Sequence, residues 1–353
     1  MSHEDVSRGV SDDENDEITS RKADHIRVCL DPSSQVSTTA SFDDYRFDNE
    51  ALPEMALEDV DLSTTFLGKR LSAPIIVSSM TGGPTAGATI NRSLAEAVER
   101  LGLGMGVGSQ RIALERLDTR SSFEVRKYAP SALVLANLGA VQLNYGYGEK
   151  QAKDAVDMIG ADGLFLHLNA LQEAIQEGGD TNFRALGDRI EALVAALPFP
   201  VLIKEVGAGI GARTALRLWS MGVKAIDVSG TGGTSWARVE GLRAKAEVHR
   251  TLGETFRGWG IPTPVAIERA RAALPADAVL IGSGGIRTGL DAAKAIALGA
   301  DVVSIAQPVL AAALVDGAAV EAVLTRFIAE LRVACFAAGA RTLADLRYTP
   351  LFR

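Results

Sequence analysis

From about residue 70 onward, short apolar runs rich in Val, Ile and Leu alternate with Ala-rich segments whose apolar positions recur at helical spacing. The runs are "PIIVSS" (74–79), "LGMGVG" (103–108), "ALVLAN" (132–137), "GLFLHL" (163–168), "PVLIKE" (200–205), "AIDVSG" (225–230), "AVLIGS" (278–283) and "VVSIAQ" (302–307). Between them, "TINRSLAEAVERLG" and "GLDAAKAIALGA" predict helices. Continuous apolar runs separated by helices mark a parallel sheet covered on both faces. Eight of them in roughly 230 residues predict an α/β protein with a (β/α)8 TIM barrel. An open, doubly wound sheet is the alternative; the strand count and the polar residues that end nearly every strand favour the barrel.

The barrel is expected over 71–353. Residues 21–70 precede its first strand and are read as a capping or flanking segment. The Gly-rich stretch 231–260 follows the sixth run, is too long for a simple connection, and is a candidate functional loop.

Composition narrows the function classes. The chain has 353 residues, 47% hydrophobic and 23% charged, the profile of a soluble globular protein. A formal net charge of −8 argues against a nucleic-acid binder. Residues 1–20 hold seven acids against Arg8 alone and so carry −6 of that charge, which reads as a solvated, disordered tail. Cys29 and Cys335 are too few for a disulfide framework and suit a reduced cytoplasmic protein. No secretory leader opens the sequence, and "VVSIAQPVLAAALV" is too short to span a bilayer.

In such a barrel, ligands gather at the C-terminal ends of the strands. Those ends read "SSMTGG", "GSQR", "NLG", "HLNALQE", "IKE", "SGTGGTSW", "GSGGIR" and "AQP". A phosphate site built from the loops after strands seven and eight recurs in this architecture. The glycines of "GSGGIRTG" let backbone N–H groups converge on an anion, and Arg287 adds charge. Lys204 ends an apolar strand, where an ammonium must be solvated, paired or chemically employed. Its neighbour Glu205 points to the opposite face, which weakens simple pairing. Arg21, Lys22 and His25 in "RKADHI" form a basic cluster, either a solvated face or a clamp on an anion such as a diphosphate. In "FLHLNALQE" (165–173) a buried strand runs into His167, Asn169, Gln172 and Glu173; His167 alone reads equally as a satisfied core histidine.

Taken in order, "RKADH", "SSMTGG", "GLGMGVGSQR", "HLNALQE", "IKEVGAGI", "SGTGGTSW", "WGIPT" and "GSGGIR" resemble type 2 isopentenyl diphosphate isomerase, the flavin-dependent form, from about residue 21 to the C-terminus. "HLNALQE" and "WGIPT" are the specific motifs; the glycine loops are shared with other FMN barrels. The resemblance implies a TIM barrel carrying FMN, Mg²⁺, and reduction of the flavin by NAD(P)H. It implies interconversion of isopentenyl and dimethylallyl diphosphate without net redox change, in a homo-tetramer or homo-octamer.

Carried across by position, the resemblance implies FMN contacts at Met80, Thr81, Gly82, Ser109, Asn137, Lys204, Ser229 and Thr234. Gly285, Ile286 and Arg287, with Ala306 and Gln307, would hold the phosphate end. Arg21, Lys22, His25, Ser109, Gln110, Arg111, Asn169 and Gln172 would bind substrate. His167 would stand near the diphosphate, Glu173 would bind Mg²⁺, and Trp236 would lie near the hydrocarbon end. Gln172, His167, Lys204 and Trp236 are the implied catalytic set.

Two other FMN-barrel-like chemistries lack a residue. A 2-hydroxy acid oxidase needs a histidine after the seventh strand, and the four histidines are His3, His25, His167 and His249. An inosinate-dehydrogenase-like enzyme needs a cysteine after strand six, and neither Cys29 nor Cys335 is there. A flavin-binding module without catalysis is the remaining rival, since fold alone does not fix function.

Overall fold

Each of the eight runs becomes a strand of one closed barrel in a computed structural model that describes residues 24–36, 41–81 and 86–353. The strands are β1 (Ile75–Val77), β2 (Gly104–Gly106), β3 (Leu133–Gly139), β4 (Gly163–Leu168), β5 (Val201–Glu205), β6 (Ala225–Asp227), β7 (Val279–Ser283) and β8 (Val302–Ile305). Each lies parallel to the next, and β8 pairs with β1, Val303 opposite Ile75, to close the ring. Arg21, Lys22 and Gly82 lie outside the described residues, as does the acidic stretch 1–20.

Helices α1 (Ala86–Leu101), α2 (Glu149–Ile159), α3 (Leu186–Ala196) and α4 (Ala212–Ser220) surround the strands. The stretch expected as a Gly-rich loop instead contains two helices, α5 (Trp236–Arg243) and α6 (Glu247–Thr255), before α7 (Thr263–Ala273). Gly241 and Gly253 explain the misleading composition. A Cβ on Gly253 would stand 2.4 Å from the Gly241 Cα, so the two helices pack backbone to backbone. Helices α8 (Gly289–Ala297) and α9 (Gly317–Ala337) complete the outer layer.

Period-2 alternation sorts the core into two shells. Ile76, Leu135, Phe165, Leu202, Ala225, Ile281 and Val302 point into the lumen. Ile75, Val77, Leu164, Leu166, Ile203, Ile226 and Val303 belong to the outer core shared with the helices. Below the lumen sits a hairpin, Thr64–Phe66 against Lys69–Leu71, turning through Leu67 and Gly68, both at positive φ. Its Phe66 (3% exposed) and Leu71 (1%) join the lumen cluster. Burial of each is worth about 2 kcal/mol. Lys69 fastens the hairpin to the start of β3 through the carbonyls of Ser131 and Ala132, at 3.0 and 3.1 Å.

The segment before β1 therefore reaches both ends of the barrel. Its opposite end, helical over 24–30, lies by the strands' C-terminal rim. There Val36 N–H donates to Gly233 and Ser235 N–H to Ser34. Among the described residues no helix is long and apolar enough to cross a membrane.

Candidate active site

The same alternation that fills the lumen with apolar side chains turns polar one step nearer the rim. Two residues beyond each apolar lumen position stand Ser78, Asn137, His167, Lys204, Asp227, Ser283 and Ser304. On β2 the inward positions are glycines. A Cβ on Gly106 would fall 2.7 Å from Ser79 Oγ, and one on Gly108 2.3 Å from the Thr81 backbone, so no larger residue fits beside β1. Above this ring opens a cavity of about 270 Å³.

Most of the expected site residues meet there. Met80, Thr81, Ser109, Asn137, Lys204, Ser229 and Thr234 line it, as do Gly285, Ile286, Arg287, Ala306 and Gln307. So do His25, Arg111, His167, Asn169, Gln172, Glu173 and Trp236. Gln110 does not. It is fully buried behind the wall, its Nε2 donating to Ala155 O at 2.8 Å and its Oε1 accepting Asn137 N–H at 2.9 Å. Gln110 thus braces β3 rather than facing a ligand, because the helical turn starting at Arg111 rotates it away from the rim.

Asn137 Nδ2 donates to Val107 O at 3.1 Å, which leaves its Oδ1 to face His167 Nδ1 at 2.9 Å. His167 therefore carries its proton on Nδ1 and presents Nε2 as an acceptor. Burial, helped by the Lys204 charge, pushes its pKa down to about 3, so the ring is neutral. It is neither a bare core histidine nor a cationic phosphate clamp in this state.

Lys204 Nζ reaches the backbone carbonyl of Glu205 at 2.7 Å, not its carboxylate. That carboxylate faces away and collects the N–H groups of Val206, Gly207, Ala208 and Gly209 on one oxygen, at 2.5–3.0 Å. Burial drives the Lys204 pKa down, opposed by Asp227 and Glu205. Asp227 lies opposite Lys204 in the β5–β6 register, takes the Ser283 hydroxyl and Ser229 N–H, and is pushed up to about 6 chiefly by burial.

After β4 the chain bends into the short helix Ala170–Ile175, which aims Gln172 and Glu173 inward. Asn169 Nδ2 donates to Glu173 Oε1 at 2.7 Å, and Gln172 Nε2 donates to Glu240 Oε1 at 2.8 Å. Glu240, on α5 one turn after Trp236, also receives His25 Nε2 at 3.0 Å and Arg243 at 2.7 Å. His25 stands edge-on to Trp236, ring centroids 5.0 Å apart. Burial alone pushes the Glu240 pKa up, but these partners hold it down to about 2. Sequence reasoning missed Glu240; its only signal was the i, i+4 spacing from Trp236, which sets both on one helix face.

The loops after β6 and β7 interlock. Gly284 (φ +101°) and Gly285 (φ +76°) pass so close to Gly230 and Gly232 that a Cβ would fall 2.0 and 2.4 Å from their carbonyl oxygens. Arg287 hydrogen-bonds Gln35 Oε1, whose Nε2 in turn reaches Thr234 Oγ1 at 3.0 Å.

These features fit a flavin mononucleotide. Glycine backbone and Arg287 offer an anion cradle. The buried Oγ atoms of Ser79 and Ser304 line the cavity without a hydrogen-bond partner among the described residues. A divalent cation fits less elaborately. No group of three or more His, Cys, Asp or Glu able to hold a metal occurs among the described residues. Glu173 nevertheless lines the cavity beside Asn169 Oδ1, a buried oxygen without a partner there, and one carboxylate plus ligand oxygens is a usual magnesium set.

Comparisons with known proteins place the chain in a family. The model of the FMN-dependent dehydrogenase family matches residues 22–133 and 147–352. An isopentenyl-diphosphate delta-isomerase of Nostoc sp. (strain PCC 7120) is 50% identical over 331 residues, covering 94% of each chain. Proteins of the same name from Stutzerimonas stutzeri (50%, covering 95% of this chain and 97% of that one) and Deinococcus radiodurans (48%, 94% and 97%) match similarly. Among solved structures, a mutant mandelate oxidase with a monooxide FMN adduct superposes with a TM-score of 0.64 at 19% identity, covering 98% of both chains. That likeness concerns the fold alone. With the family model matched over most of its length and relatives near half identity over almost all of theirs, the chain belongs to the FMN-dependent dehydrogenase family, among its isopentenyl-diphosphate delta-isomerases.

Proposed function

We propose that this protein interconverts isopentenyl and dimethylallyl diphosphate on FMN, with Mg²⁺ bound at the diphosphate and NADPH as the reductant that readies the flavin. The observation that carries this reading is near-half identity, over almost the whole chain, to proteins named for that reaction. The polar mouth supports it, since a mere flavin binder has no use for Gln172 and Glu173 beside a basic rim.

Moving the double bond requires a proton added at one carbon and another removed from a neighbouring position, a task poorly matched to a side-chain acid at neutral pH. Bound and reduced, FMN supplies a ring nitrogen that exchanges protons and an electron-rich face that favours developing positive charge. The chain's own residues orient and enclose. Arg287 and the interlocked glycine loops would hold the flavin's phosphate, with Asn137, Ser229 and Thr234 along its length. Lys204 would face the flavin's pyrimidine edge, its charge favouring the reduced anionic form. Arg111, His25 and Asn169, with Arg21 and Lys22, would grip the diphosphate. Glu173 would hold Mg²⁺ with the diphosphate oxygens and neutralise their charge. Gln172, fixed by Glu240, would orient the reacting carbons, and Trp236 would wall the hydrocarbon end against water. Binding energy from the remote diphosphate then serves positioning.

Free Cys29 and Cys335 suit a reducing, cytoplasmic setting, and exposed Tyr348, Leu52 and Val315 offer apolar surface for a homo-tetramer or homo-octamer. The deciding assay supplies isopentenyl diphosphate, Mg²⁺ and NADPH to FMN-loaded protein without oxygen. Dimethylallyl diphosphate is the expected product; its absence leaves only a flavin-binding module. An oxidase reading has no support from the site, because β7 is followed by no histidine.

A further inference from the structure

Behind the cavity wall, one residue gathers three cavity residues, two on its carboxylate and one on its backbone N–H. Asp180 Oδ2 accepts Arg111 Nη1 at 2.7 Å and Gln142 Nε2 at 2.9 Å, while Asp180 N–H donates to Glu173 Oε2 at 2.8 Å. Arg111, Gln142 and Glu173 all line the cavity; Asp180 does not. Asp180 belongs to "EGGD" (177–180), whose parts each serve this placement. Gly178 takes φ +71°, and a Cβ on Gly179 would lie 2.1 Å from the Glu173 carbonyl oxygen. Glu177 accepts the N–H of Ala246 at 2.7 Å, tying the loop to the start of α6.

An acid beside an anion-binding mouth is electrostatically wrong unless it does something else. Arg111 gives Nε to Glu115 at 3.0 Å and Nη1 to Asp180, and its Nη2 makes no hydrogen bond to another described residue. Two carboxylates therefore hold the guanidinium plane, and a free edge remains. A long side chain fixed beforehand loses less entropy when it grips a ligand.

We infer that Asp180 is a positioning residue for the diphosphate end of the site: it presets the Arg111 guanidinium and the Gln142 amide and pins Glu173 through its backbone. This rests on the proposed diphosphate chemistry and adds a residue to it.

The test is the sign of an effect. Coulomb's law alone predicts that removing a carboxylate near an anion site tightens anion binding. Positioning predicts the reverse. In Asp180→Asn, calorimetric affinity for inorganic diphosphate with Mg²⁺ should fall about tenfold, as for loss of a charged partner's support. KM for isopentenyl diphosphate should rise by a similar factor, while kcat and FMN affinity stay nearly unchanged. In an Arg111→Gln background the same substitution should add little, because contacting residues couple. Unchanged or tighter diphosphate binding overturns the inference, as do fully additive losses in the double variant. Loss of FMN together with a lowered melting temperature also overturns it, reducing Asp180 to a structural role. Wild-type protein that binds diphosphate but turns over no isopentenyl diphosphate sinks only the functional reading; wild-type protein that binds no diphosphate sinks this one.

Discussion

Gln172 Nε2 lies 2.8 Å from Glu240 Oε1, joining the helix after β4 to the inserted helix α5. The same oxygen takes His25 Nε2 at 3.0 Å, so one buried carboxylate aligns a rim amide, a rim imidazole and, through its helix, Trp236. Glu240→Ala leaves those donors facing a void, at a cost of about 1–3 kcal/mol for each donor left unsatisfied. The expected result is turnover reduced at least about tenfold with FMN still bound, since 1.4 kcal/mol of lost alignment is a factor of ten. Gln172→Ala should do the same more locally. Turnover unchanged in either variant would show that this alignment is idle.

Glu240 also predicts acid behaviour. Its pKa is held at about 2 against an ordinary 4.5, so the ionised form favours the folded state above pH 4.5 and that contribution drains away as pH falls toward 2. A shift of this size is worth roughly 3 kcal/mol at neutral pH. Asp227, raised to about 6 from 3.8, works oppositely: its contribution is complete below 3.8 and is lost as pH rises through 6. Melting temperatures of wild type and Glu240→Gln should therefore differ by a constant gap above about pH 5 and converge as pH falls from 4.5 toward 2. A gap that stays constant over that fall contradicts the assignment.

Flavin retention tests the interlocked glycine loops. Gly284→Ala puts a methyl 2.0 Å from the Gly230 carbonyl oxygen, which no rotamer relieves, so the loops must separate. Purified wild-type protein reconstituted with FMN should be yellow, and this variant should emerge colourless or unfolded. Arg287→Ala should fold normally and bind FMN about ten- to a hundredfold more weakly, the loss of one charge-assisted contact. Equal fluorescence titrations for wild type and Arg287→Ala would remove Arg287 from the phosphate end.

Glu173→Ala should move the magnesium requirement. Its oxygens accept Asn169 Nδ2 and Asp180 N–H, and these contacts hold the carboxylate in place within the wall. Without it, the Mg²⁺ concentration for half-maximal activity should rise at least about tenfold, as for removal of one anionic ligand. An identical Mg²⁺ titration would place the metal elsewhere.

How much of this was legible beforehand follows from the range of each signal. Strand alternation is local, so Phe165 inward and His167 two residues nearer the rim could be read directly, and with them the barrel and its mouth. Lys204 and Glu205 facing apart follows from the same period. Partnerships across the fold were not readable. Glu240 meets Gln172 across 68 positions and His25 across 215, and no spacing encodes either. Gln110 misled for the converse reason: its neighbours Ser109 and Arg111 face the cavity, while the start of a helical turn points it into the wall. Glycine content misled at 231–260, where Gly241 and Gly253 serve helix contact rather than a loose loop.

The hairpin carrying Phe66 and Leu71 gives the barrel a floor. A floored vessel is filled and emptied over a single rim, so whatever reaches the ring of Asn137, His167 and Lys204 has no through-passage. Guests larger than water that need the same depth must take turns, and the order of arrival and departure becomes a property of the architecture. The packed lumen, with the hairpin beneath it, thus leaves the other end as the doorway.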